Sequence, residues 1–78
     1  FHYQENIQFC RQSRASMYEL RDHLITCLDE GYVNEDEYKE LFSLLESGIK
    51  AINGYIRMLK SQKEMEREKN FQFPISIF

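Results

Sequence analysis

Three arginines and a tyrosine in the first half of this 78-residue chain have the types and spacing that could contact a nucleic acid. At about 100° per residue on a helix, they fall on one flank of an apolar stripe. Guanidinium groups can hold phosphates, and an aromatic ring among them can stack on a base. The residues of this candidate nucleic-acid contact are Arg11, Arg14, Tyr18 and Arg21.

A second interpretation of the same arginines is structural, and we favour it. Their stems can cover apolar surface while their charged heads pair with acidic residues of a neighbouring helix. The chain has a net charge of −3 and a pI near 5.3, so it lacks the overall positive field that non-specific nucleic-acid binding requires. RNA is therefore a partner to be tested rather than the expected one.

Residues that bind metals or perform catalysis form no recognisable pattern. His2 and His23 lack a second histidine, or a Cys-x-x-Cys pair, at metal-ligand spacing. Cys10 and Cys27 are 17 residues apart on one predicted helix, about 25 Å along its axis and too far for a disulfide. We predict no metal, no cofactor and no catalytic residue, and hence a non-enzymatic protein. Free cysteines, with no membrane-length apolar run and no signal sequence, predict a cytoplasmic location.

The segment 27–38 predicts a helix stop followed at once by a helix start. Gly31 can adopt the left-handed conformation that ends a helix in a Schellman motif. Asn34 is a good N-cap, and Glu37 three residues later can complete a capping box. The resulting prediction is a hairpin domain over residues 1–70, with helices at about 3–30 and 35–69 and a turn at 31–34.

Both predicted helices carry a wide apolar stripe. A hairpin of two helices is a single layer, which leaves stripes of this width partly uncovered. The sequence therefore predicts an all-α fold, an antiparallel hairpin of two long helices that forms half of an up-down four-helix bundle, completed by upstream helices or by other chains. The residues expected at the helix-packing or oligomer interface are Met17, Leu20, Leu24, Leu41, Leu45, Ile49, Ile52 and Ile56.

The last eight residues, 71–78, differ in pattern from the helices. Their apolar residues alternate at period two around Pro74, which predicts an extended arm rather than a helix. Five large apolar residues in eight are too many for a solvated tail. The arm either docks in a groove of its own assembly or is a sticky end, and we favour docking because exposed apolar patches of this size usually have a partner.

Two runs resemble a bacterial family of four-helix-bundle proteins, the 23S rRNA-intervening sequence protein type. In the run 9–20, Ala15–Met17 stands where Gly-Ser-Leu is usual. In the run 28–33, Glu30–Val33 stands where Leu-Gly-Tyr-Ile is usual. The resemblance covers roughly residues 5–62 and leaves the predicted arm unmatched.

The resemblance implies a non-enzymatic four-helix bundle whose first two helices precede Phe1, assembled as a ring-like homo-oligomer that is commonly a pentamer. A related group, the accessory proteins of diversity-generating retroelements, is similar in fold and binds RNA and a reverse transcriptase through a basic surface that this acidic chain lacks. We therefore expect a homo-oligomeric scaffold or interaction module, with a pentamer favoured over a dimer. The alternative is an RNA- or nucleoprotein-binding accessory protein.

Overall fold

The computed structural model of the chain shows two antiparallel helices joined by a short turn. It describes the backbone of residues 2–77 and the side chains of residues 2–69. Helix α1 is Tyr3–Asp29 and helix α2 is Glu35–Ile77, and no strand occurs among the described residues. The molecule measures 69 × 16 × 13 Å, so its thinnest dimension is about that of one helix with its side chains. The predicted all-α hairpin is confirmed, and it is a single layer.

A Schellman motif around Gly31 ends helix α1. The φ of this glycine is +77°, a left-handed conformation that side chains disfavour. Its N–H donates to the Leu28 carbonyl at 3.1 Å, and the Tyr32 N–H donates to the Cys27 carbonyl at 2.9 Å. These two bonds give partners to carbonyls that a helix end otherwise leaves unpaired. The side chain of Tyr32 is 78% exposed, so the motif depends on its backbone bonds.

A reciprocal capping box begins helix α2. The Glu37 N–H donates to Oδ1 of Asn34 at 2.8 Å, and the Asn34 N–H donates to Oε1 of Glu37 at 3.0 Å. Both donors lie in the part of a helix start where no backbone carbonyl is available. Acidic residues fill the first turn, where the helix dipole favours negative charge. The stop and the start are therefore both encoded within a few residues of the turn.

The buried core is a narrow seam between the two helices. Near the open end of the hairpin, Ile7 and Cys10 of α1 cluster with Ile56 and Leu59 of α2. Ile7 and Leu59 are almost fully buried, at 2% and 1% exposed. The buried positions of each helix are separated by three residues or by multiples of seven, so they lie on one side of the helix, as in helices that pack along one another. The core therefore runs lengthwise rather than filling a globular interior.

Helix α2 is continuous through Asn53 and Gly54, as the unbroken apolar pattern predicted. Gly48 lies close to α1, since a Cβ added there would be 3.2 Å from Cε of Met17. This glycine allows the two helices to approach closely at that level. Within the described residues, neither helix combines the length and apolar character that crossing a membrane requires.

The helical bounds of α2 extend to Ile77, beyond residue 69 where the sequence predicted the helix to end. The backbone over 71–77 thus differs from the predicted extended arm. The side chains from residue 70 onward lie outside the described part of the chain, so the docking of the arm stays a prediction.

Candidate functional site

On one side of the hairpin, which we call the polar flank, arginines of the candidate nucleic-acid contact on α1 donate hydrogen bonds to side chains of α2. Arg21 Nη1 donates to Oε1 of Glu46 on α2 at 2.6 Å. The same guanidinium lies 4.9 Å from the ring centroid of Tyr18 and 5.9 Å from that of Phe42, within cation–π range. The hydrogen bond to Glu46 is the main reason that the pKa of Arg21 is raised, so this side chain stays charged.

Arg14 forms a second link between the helices on the same flank. Its Nη1 donates to Oδ1 of Asn53 at 2.7 Å in a partly buried position. Arg14 and Arg21 thus direct their guanidinium groups to α2. This arrangement supports the structural interpretation that the sequence analysis favoured for these two residues.

Arg11 and Tyr18 have a different setting. Arg11 is exposed, and its Nη1 is 3.5 Å from Oε1 of Gln8 on its own helix, at the long limit for a hydrogen bond. Tyr18 is 39% exposed, with Arg21 over its ring. The four residues of the candidate nucleic-acid contact therefore do not form one free basic surface.

Arg11 instead lies beside basic residues of α2 that the sequence analysis did not select. They line an open groove of about 260 Å³ between the two helices. Steps of three and four residues place the α2 members on one helix face, a signal that was visible in the sequence. Their proximity to Arg11 depends on the register of the two helices, which no local pattern gives. The basic groove is formed by Arg11, Lys60, Lys63 and Arg67.

The opposite flank of the hairpin is apolar. A second set of α2 residues lies beside those that pack against α1, offset around the helix. Its members are at alternating steps of three and four residues as far as Met58, and Met65 follows seven residues later. Its large side chains are exposed, including Leu44 at 63%, Tyr55 at 42% and Met65 at 65%. The middle of this apolar surface is formed by residues with small side chains. The apolar face consists of Leu20 of α1 with Leu41, Leu44, Gly48, Ala51, Tyr55, Met58 and Met65 of α2.

The apolar face deepens into an open groove of about 380 Å³ near the turn. Leucines of both helices form most of its wall, and polar atoms contribute little. His23 and Cys27 also line it, one turn apart on α1. Within residues 2–69 no three or more His, Cys, Asp or Glu side chains come together as a metal site would need. The groove can therefore bind apolar groups, such as side chains from another helix.

The predicted packing residues divide between the core and the apolar face. Three of them are buried between the two helices: Leu24, Ile49 and Ile56. A further three are half-buried at the edge of that seam: Met17, Leu45 and Ile52. The remaining two, Leu20 and Leu41, are 56% and 41% exposed and belong to the apolar face. The hairpin by itself thus covers only part of the predicted interface.

Three comparisons with known proteins add to this description. A family model described as 23S rRNA-intervening sequence protein matches residues 1–54. The match includes all of α1, the turn and the first part of α2, which is more than half of the chain. Searches of the curated proteins and of the solved structures gave no match.

Proposed function

The chain belongs to the 23S rRNA-intervening sequence protein family, and we propose that it is a non-enzymatic protein that assembles with copies of itself into a helical scaffold. The family is not a known enzyme family. Its relation to ribosomal RNA favours the cytoplasm as the place of action. The proposal depends on one observation, the exposure of the apolar face.

The residue spacing of the apolar face supports packing against other helices. Exposed single leucines are ordinary on protein surfaces, but a contiguous apolar strip usually marks an interface. From Leu41 to Met58 the face repeats at alternating steps of three and four, the periodicity of a helix–helix seam, and Met65 follows seven residues later. A helix with two such seams is suited to contact more than one neighbouring helix. Helix α1 covers one seam of α2, and the other faces outward.

A second copy of the chain is the partner that we propose for this face. Two hairpins packed through their apolar faces supply four helices in two layers. This is the smallest arrangement that buries the exposed seam of each hairpin in addition to the seam between its own helices. Ala51 in the middle of the face leaves room for a helix to approach, while Leu44 and Met65 can fill the space towards its ends. This face-to-face contact closes as a dimer. The family resemblance favours five copies, and in such a ring the apolar face would pack against a different face of the next copy.

The polar flank favours an outward orientation in the assembly. Two of its guanidinium groups already have partners on the facing helix, at 2.6 Å for Arg21 with Glu46 and 2.7 Å for Arg14 with Asn53. Burying these groups against a further layer would remove their remaining contact with water, which is costly for charged side chains. The two flanks therefore have different roles, with assembly on the apolar one.

Light scattering coupled to size-exclusion chromatography tests the proposal. We expect the particle mass to be a multiple of the 9.5 kDa chain mass, with five copies as the favoured stoichiometry. The variant Leu44→Glu places a charge on the apolar face without touching the hairpin core, because Leu44 is 63% exposed. It should shift the particle towards the monomer.

The matched control is Ile25→Glu, which introduces the same charge on the other flank of α1. Ile25 is 45% exposed, so this change is also tolerated by the hairpin. The proposal requires that Ile25→Glu leave the particle mass unchanged while Leu44→Glu lowers it. A monomeric wild-type chain, or equal effects of the two variants, would contradict it.

A further inference from the structure

We propose that the basic groove binds adjacent phosphate groups of a polyanion. This site goes beyond the proposed scaffold role, and it lies on the polar flank, away from the apolar face. The groove brings one arginine of α1 together with two lysines and one arginine of α2. This local cluster of four basic side chains is not part of a generally basic surface, because the net charge of the chain is −3.

The positive charges of the groove are poorly compensated within the hairpin. Lys63 Nζ donates to Oε1 of Gln4 at 2.6 Å, and the nearest partner of Arg11 is the amide of Gln8. Both partners are neutral, so they position the cations without cancelling their charge. Among the residues with described side chains, no carboxylate forms an ion pair with Lys60 or Lys63.

One carboxylate, that of Glu64, does line the groove. Arg67 Nη2 is 2.8 Å from Oε1 of Glu64, in an ion pair between residues three apart on the same helix. The two side chains are 74% and 55% exposed, so water screens their attraction. A phosphate with a higher charge can replace Glu64 as the partner of Arg67. The groove therefore offers four cations against one weakly held acid.

The residue types in the groove favour phosphate oxygens as the ligand atoms. An arginine fork can donate two parallel hydrogen bonds to a phosphate, and a lysine supplies a compact charge. Lys60, Lys63 and Arg67 extend over about 10 Å of helix axis, which is long enough to contact more than one phosphate. Within residues 2–69 no aromatic side chain lines the groove, so stacking on a base is not part of this site. The expected binding is therefore independent of sequence and sensitive to salt.

Two probes distinguish the sources of such phosphates. The first is inorganic triphosphate, measured by calorimetry, and the second is a fluorescently labelled single-stranded RNA of mixed sequence, measured by anisotropy at low salt. Binding of triphosphate alone identifies a small polyanion as the ligand, and binding of both identifies a nucleic-acid backbone as a further source. If neither binds at low salt, the proposal is overturned.

The double variant Lys60→Glu/Lys63→Glu tests the location. We expect it to weaken binding of the bound probe by at least about tenfold and, for RNA, to reduce the slope of log K against log salt by about 0.7 for each lost contact. The control, Lys39→Glu/Lys50→Glu, makes the same change in net charge at two exposed positions of α2 outside the groove. It should retain most of the affinity. An equal loss of affinity in both double variants would show that the probe responds only to the net charge of the protein. That result would overturn the assignment of binding to the basic groove.

Discussion

Arg21 donates a hydrogen bond to Glu46 at 2.6 Å while its guanidinium lies 4.9 Å from the ring centroid of Tyr18. One side chain thus joins α1 to α2 and covers an aromatic ring of its own helix. The pair lies on the polar flank, as does the bond from Arg14 to Asn53, whereas the residues of the apolar face carry no charged group. Because the two flanks differ in this way, we assign assembly to the apolar face.

The first prediction concerns this pair. Arg21→Ala and Glu46→Gln should each destabilise the hairpin slightly, and the double variant should lose less than the sum of the two effects. The reason is that both changes remove the same ion pair, which is partly exposed and therefore weak. Urea unfolding of the four proteins in this cycle measures the coupling. Strict additivity would show that the contact contributes nothing to stability.

A second prediction concerns the start of α2. Asn34→Ala removes the acceptor of the 2.8 Å bond from the Glu37 N–H and should cost about 1 kcal/mol of unfolding free energy. Asn34→Asp retains an acceptor oxygen at the same position and should recover most of that loss. Urea denaturation is the measurement. Equal losses in the two variants would mean that the cap bond is not what stabilises this end.

The third prediction compares two glycines. Gly31→Ala has open space for its Cβ but must keep φ at +77°, so we expect a loss of about 1 kcal/mol from backbone strain alone. Gly54→Ala lies inside α2, where the nearest atom to the new Cβ is Nη2 of Arg57 at 3.7 Å. It should stabilise the protein by about 0.5–1 kcal/mol through helix propensity. Thermal unfolding of both variants shows whether each change raises or lowers the stability of the protein. A change in the same direction for both would contradict the assignment of Gly31 to the left-handed position of the turn.

The fourth prediction concerns pH. The Tyr3 hydroxyl donates to Oε2 of Glu66 at 3.1 Å, and partial burial together with this bond and the carboxylate charge raises the pKa of Tyr3. A raised folded-state pKa means that the folded protein holds this proton more tightly than the unfolded chain does. The stabilisation is therefore present below about pH 10 and is lost as pH rises through the folded-state pKa.

Tyr3→Phe should remove that part of the pH dependence. The difference in unfolding free energy between wild type and Tyr3→Phe should shrink as the pH rises above about 10, as measured by urea titrations. Tyr32→Phe is the control because Tyr32 is 78% exposed. A constant difference between wild type and Tyr3→Phe over this pH range would count against the contact.

The turn could be predicted from the sequence because its determinants are local. Gly31, Asn34 and Glu37 act within a few residues of one another, and the structure contains the Schellman bonds and the capping box that they predicted. The helix period also gave the residues that pack between the helices, such as Ile49 and Ile56. Local spacing was sufficient for these features.

The basic groove and the interhelical bonds could not be predicted in the same way. Arg14 and Asn53 are 39 residues apart, and Arg11 is still further from Lys60 along the chain. Their contacts depend on the register of α1 against α2, which is set by the whole seam. Helical spacing therefore groups Arg11 with Arg14 and Arg21, its neighbours on the helix, and does not indicate that Lys60 and Lys63 lie beside it. The arm predicted at 71–78 rested on the local alternation and on Pro74, and its side chains lie outside the described residues.

The central claim is that other copies of the chain cover the apolar face, and the concentration dependence of unfolding tests it most directly. If folded hairpins are stabilised by association, mass action makes the unfolding temperature rise with protein concentration. We predict a clear rise in the midpoint over a hundredfold range of concentration, and a much smaller rise for Leu44→Glu. A wild-type midpoint that does not change over this range would show that the hairpin is stable alone and would contradict the claim.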